Sequence, residues 1–74
     1  MPEKWTGDLI GRMHNAQVMR IELAEETGWN KSYISMILNG YRHPKGAEEK
    51  LNAAFDAIMA RRSERGADNA ENAI

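Results

Sequence analysis

The chain contains no cysteine, so neither a disulfide nor a thiolate metal site can brace it. That suits a reducing cytoplasm. Proline occurs only at positions 2 and 44, which leaves nearly everything between them free to be helical. No stretch alternates polar and apolar residues with β-branched side chains, so strands are not expected. Apolar runs are only a few residues long, too short to span a membrane. The opening Met1-Pro2-Glu3-Lys4-Trp5 lacks the basic-then-apolar layout of a signal peptide. The cytosol is therefore the expected location. Met1 and a tail of its own fit a whole chain better than a piece cut from a larger protein.

Signatures of catalysis are missing too. There is no serine- or cysteine-centred triad pattern, no glycine-rich phosphate loop and no paired His/acid metal motif. No spacing ties His14 and His43 into a ligand set, so neither a metal nor another cofactor is expected. With 74 residues the chain holds one domain, which buries only roughly 60% of its unfolded surface. Such a core leaves little room for a ligand pocket of roughly 300 Å³ or more, and no small-molecule substrate is expected.

What is present begins with an uneven charge. Ten Lys and Arg against eleven Asp and Glu give a net charge of −1, which argues mildly against a polyanionic partner. The distribution matters more than the sum. From Thr27 to Ala47 there is no acid, yet Lys31, Arg42, His43 and Lys45 lie there. The acids gather before it (Glu22, Glu25, Glu26) and after it (Glu48, Glu49).

Four helices follow from the apolar spacing. Trp5, Leu9, Met13 and Ala16 mark one face of a helix from about Trp5 to Ala16, capped by Thr6 or Asp8 and stopping near His14-Asn15. A short second helix runs from about Met19 to Thr27, with Ile21, Leu23 and Ala24 as its apolar side. Gly28 ends it, where positive φ carries no penalty. Asn30 caps a third helix that runs to about Asn39, with Ile34, Ile37 and Leu38 inward. Asn39-Gly40 is a stop and turn signal, and Tyr41 to Gly46 form a loop. A fourth helix covers about Ala47 to Arg62 on the stripe Leu51, Ala54, Phe55, Ile58 and Met59. Its ends carry Glu48 and Glu49, then Arg61 and Arg62, as the helix dipole favours. Gly66 points to a frayed tail over residues 63–74, so the domain is placed at residues 1–62. Trp5 and Tyr33 read as core or semi-buried, and Met13, Met19 and Met59 as core filler.

The informative constellation is Leu23-Ala24-x3-Gly28-x5-Ile34-x2-Ile37. Two short helices crossing steeply around a tight turn need a small residue at the crossing, a glycine in the turn and apolar side chains in the wedge. Leu23, Ala24, Gly28, Ile34 and Ile37 answer those demands and are structural.

The longer string is more specific. Glu22-Leu23-Ala24, Gly28, Tyr33-Ile34-Ser35, Ile37, Asn39-Gly40, Arg42 and Pro44 resemble the Cro/repressor-type helix-turn-helix proteins of phages and prophages, the lambda-repressor-like XRE family. The likeness spans roughly residues 5–62. It implies an all-α, compact bundle of four to five short helices around a helix-turn-helix. It also implies a sequence-specific, non-enzymatic transcriptional regulator of repressor type in the cytoplasm of a bacterium or a phage-infected cell. Three positions depart from the pattern. Arg20 stands where many members carry a phosphate-contacting glutamine, and arginine serves the same end by charge. Trp29 replaces a small aliphatic turn residue, and so packs differently or lies partly exposed. Leu38 stands where an acid is frequent, and so covers the fourth helix or belongs to a protein interface.

In this motif the N-terminal residues of the second helix of the pair reach base edges. That assigns base contact to Lys31, Ser32, Ser35 and Met36, with Lys31 able to donate to a guanine edge and Met36 to touch a thymine methyl. Backbone contact falls to Arg20, Asn30, Asn39, Tyr41, Arg42, His43 and Lys45, helped by free loop N–H groups. Arg12 is as well suited to a phosphate as to plain solvent. One such domain is small for tight operator binding, so a homodimer on a pseudo-palindromic site of double-stranded DNA is expected, paired through the fourth helix or the tail. The alternative is a helix-turn-helix used as a protein-interaction or adaptor module, favoured by Trp29, Met36, Leu38 and the acidic total.

Overall fold

The computed structural model of the chain describes residues 3–73, with side chains as far as Glu64. Among these residues there are four helices and no strand: α1 (Lys4–Ala16), α2 (Arg20–Thr27), α3 (Lys31–Leu38) and α4 (Ala47–Ala73). The fold is all-α. Both α2 and α3 pack on their neighbours, with α2 lying against α3 and α4, and α1 against α3 and α4.

The local signals act mostly where expected. Asn30 caps α3, its Oδ1 accepting the Tyr33 N–H at 2.7 Å. Gly28 takes φ 83° and its N–H reaches the Ala24 carbonyl at 2.9 Å. A β-carbon there would meet nothing within 4 Å, so the glycine is required by the backbone conformation and not by crowding. Thr27 completes the turn. Its hydroxyl donates to the Leu23 carbonyl at 2.8 Å and accepts the Trp29 N–H at 3.2 Å.

The α1 cap differs from expectation. Glu3 is the N-cap and uses no side chain. Thr6 is instead buried in the first turn, its hydroxyl donating to the Glu3 carbonyl at 2.6 Å. The helix ends at Gln17, a left-handed residue at φ 57° whose N–H turns back to His14.

The core gathers Leu9 and Met13 from α1, Val18, Leu23 and Ala24, Ile34, Ile37 and Leu38 from α3, and Leu51, Ala54, Phe55 and Ile58 from α4. Leu23, Ile34 and Leu51 are fully covered, so the wedge between α2 and α3 closes on α4. Leu38 is 1% exposed. It belongs to this core and not to an interface.

Two apolar assignments fail. Ile21 is 48% exposed and Met19 62% exposed. Residues two apart on a helix point in different directions, so Ile21 cannot share the face of Leu23. Met19 precedes α2 as its N-cap and lies outside the packed face.

The α4 backbone stays helical past Arg62, the end expected from sequence, to Ala73. Arg61 and Arg62 are therefore inside the helix and not at its carbonyl end. Their charge is used sideways. Arg61 pairs with Glu26 at 2.9 Å, and Arg62 with Glu22 at 3.0 Å. Arg62 also donates to the Ala16 carbonyl at 2.5 Å and the Gln17 carbonyl at 3.1 Å. One guanidinium thus ties the end of α1 and the start of α2 to α4. No described helix is long and apolar enough to cross a membrane.

Candidate nucleic-acid interface

The first turn of α3 and the loop after it carry most of the residues singled out by sequence. Lys31 and Ser32 open α3 and are exposed, because Ile34, Ile37 and Leu38 take its inward face. Ser35 and Met36, one turn on, are half-buried. Arg20 is the first residue of α2 and half-buried, and it lines the same groove as Lys31. The N-terminal ends of α2 and α3 thus lie beside each other, each with a cation at its first residue.

The loop is held against the end of α3 by its own backbone. The N–H groups of Tyr41 and Arg42 both point to the Met36 carbonyl, at 2.8 and 3.3 Å, and the Gly40 N–H to Ile37 at 3.1 Å. Gly40 adopts φ 86° to make that possible. These amides are occupied, contrary to the expectation that they are free to donate outward. The side chains of Asn39, Tyr41, Arg42, His43 and Lys45 are exposed, Tyr41 to 75%. Asn30 has its side-chain oxygen committed to the α3 cap, which leaves its NH2 for any external acceptor.

Charge is sorted across the molecule. Among the described residues, Arg20, Lys31, Arg42 and Lys45 form no ion pair. Arg12, the ambiguous cation of α1, stays exposed but lies along the protein surface: it bonds the Asn52 side chain and lies 5.0 Å from the Phe55 ring centre. Lys50 lies 4.6 Å from the Trp29 ring centre, and Trp29 meets Tyr33 edge to face at 5.3 Å. Trp29 is therefore half-buried and clasped on two sides. The Arg61 hydrogen bond and charge hold the Glu26 carboxyl below its ordinary pKa and raise that of Arg61 in turn.

Proximity in space also brings in a residue that the sequence pattern missed. Glu3 reaches the loop, its Oε1 2.9 Å from His43 Nδ1. Glu3 also borders a shallow hollow with Glu48, Glu49 and Pro44, so the acid-free stretch of sequence has acids along one side. A separation of 40 residues carries no local signal that could have revealed this contact.

The arrangement presents exposed cations and hydroxyls at the start of a surface helix. A family model described as helix-turn-helix matches residues 19–48. The matched stretch takes in α2, α3, the loop and the start of α4. No curated protein and no solved structure matches the chain.

A second concavity borders this region. A groove of about 300 Å³ opens between the end of α1 and the starts of α2 and α3, among them Ile10, Met13, Val18, Met19 and Ile21. The expectation that so small a core leaves no hollow of this size is thus corrected. The space lies between helix ends, where covering Met19 and Ile21 would require another layer of chain. No group of three or more metal-ligating side chains occurs among the described residues.

Proposed function

We propose that this chain is a DNA-binding transcriptional regulator of the phage-repressor type, acting in the cytoplasm and reading the major groove with α3. The observation that carries the reading is the helix-turn-helix match over residues 19–48 falling on a region whose cations lack internal partners. Lys31 and Ser32 are the foremost base contacts. Ser35 and Met36 follow from the next turn. Arg20, Asn30, Asn39, Tyr41, Arg42, His43 and Lys45 hold phosphates and set the register. A net charge of −1 does not oppose this, because Glu22 and Glu26, although inside that stretch, are paired with α4 arginines.

A single module of this size buries too little surface for tight operator binding, so the working form is a two-fold dimer on a pseudo-palindromic site. The rival reading, a protein-interaction module, loses two of its supports. Leu38 is in the core, and Trp29 is taken up by Tyr33 and Lys50.

Fluorescence anisotropy with a mixed-sequence duplex tests the reading. Binding at about 50 mM salt that weakens steeply as salt is added is the expected result. No binding at high micromolar protein, or binding indifferent to salt, overturns it.

A further inference from the structure

The groove between α1, α2 and α3 has a composition unlike the rest of the surface. Its floor and walls are apolar: Ile10 is half-buried, and Met19 and Ile21 are 62% and 48% exposed. Among the described residues these are two of the three large apolar side chains that stand exposed, and they flank one hollow. Its charged and titratable lining is His14, Arg20 and Lys31, with no carboxylate. Arg20 and Lys31 are also the first residues of their helices. The positive end of the α3 dipole, with no acid in its first turn, adds to them, whereas that of α2 is met by Glu22, whose carboxylate accepts the Met19 N–H at 3.4 Å. The opposing negative end, the carbonyls of α1, is covered. His14 and Met13 accept backbone N–H groups, and Arg62 binds Ala16 and Gln17.

We propose that this groove docks an acidic segment of a partner protein that inserts apolar side chains between Met19 and Ile21 and sets its carboxylates against Arg20 and Lys31. Met19 and Ile21 stand exposed on the same hollow, and an exposed methionine adapts to varied apolar shapes. Electrostatic complementarity selects the sign of the partner. Nucleic acid satisfies the cations but leaves the apolar walls without a matching surface. The partner would share Arg20 and Lys31 with DNA, so the two would exclude each other. That second clause rests on the DNA-binding reading, whereas the docking itself does not.

The probe is a capped 14-residue peptide with leucine at helical positions i, i+3, i+4 and i+7 and glutamate elsewhere. It is titrated into the full ¹⁵N-labelled chain without DNA. The expected amide shifts centre on Ile10, His14, Met19, Arg20, Ile21 and Lys31. The double variant Met19→Ser, Ile21→Ser should weaken the peptide tenfold or more. Both side chains are exposed and serine is a favoured residue at the N-cap position that Met19 holds, so the helical spectrum should be kept and the chain should stay folded. Replacing the peptide's leucines by serine, or its glutamates by lysine, should abolish binding. Equal binding of either control, shifts centred elsewhere, concentration-dependent shifts without peptide that map to the groove, or no binding at all overturns the docking site. Added duplex DNA should release the peptide, and simultaneous occupancy overturns the exclusion. A chain that binds peptide but no DNA loses the DNA reading while keeping the groove.

Discussion

Among the described residues, the arginines and lysines other than Lys4 divide into two groups that are treated in opposite ways. On α1 and α4, Arg12, Lys50, Arg61 and Arg62 each meet a partner: an amide and a phenyl ring, an indole, or a carboxylate. On α2, α3 and the loop, Arg20, Lys31, Arg42 and Lys45 meet no acid among the described residues. The first group holds helices together, and the second comprises the cations to which the proposed function assigns DNA contact. A net charge near zero is compatible with a cationic face because two of the three acids of α2, Glu22 and Glu26, are paired with α4 arginines. Substitutions in the two groups should therefore act on different quantities, stability for one and DNA affinity for the other.

The largest effect should come from neither group but from the wedge that supports both. Ile37 is 1% exposed, and Ile37→Ala should cost about 2–5 kcal/mol of stability. In a domain this small that removes much of the folded population, which circular dichroism during urea unfolding would register. A loss under about 1 kcal/mol would mean that α3 is not held by this contact.

The two kinds of cation can then be compared directly. Lys31→Ala should weaken a cognate site by about 1–3 kcal/mol and relax preference at one base pair, whereas Arg42→Ala should weaken all sequences alike and lower the salt slope by about one. Neither should change the melting temperature, because neither side chain has an internal partner. Arg62→Ala should do the reverse. It removes bonds to two carbonyls and to Glu22. Discounted for partial exposure, that should cost about 1 kcal/mol of stability. If Arg62→Ala melts like the parent, the clasp between α1, α2 and α4 contributes nothing.

The smallest effect concerns pH. Arg61 holds the folded Glu26 carboxyl below its unfolded value, so its contribution is present at neutral pH and fades as pH falls through the carboxylate range. The Glu26→Gln chain should lack that part of the acid-induced loss. The difference should be small and visible only in melts compared between neutral and acid pH.

The motif was legible because its demands are local. Gly28 had to turn, Asn30 had to cap, and Leu23, Ile34 and Ile37 recur at helical spacing. What escaped was set by distance along the chain or by overlooked helical geometry. Arg61 and Arg62 looked like dipole partners because their acids lie 35 and 40 residues away. Glu3 at the loop could not be read for the same reason. Ile21 was readable in principle, since 200° separates it from Leu23 at 100° per residue. Trp29 and Leu38, both off the family pattern, needed the structure to show that one is clasped and the other buried.

On the proposed function, α3 and its loop read DNA while the packed faces of α1 and α4 hold them in place. Selecting bound duplexes from a random pool, with the parent chain and with Lys31→Ala in parallel, tests it most directly. The account predicts an enriched pseudo-palindrome with half-sites about one DNA turn apart, and loss of preference at one symmetric base pair in the variant. No enrichment by the parent, or an identical site selected by both, would contradict it.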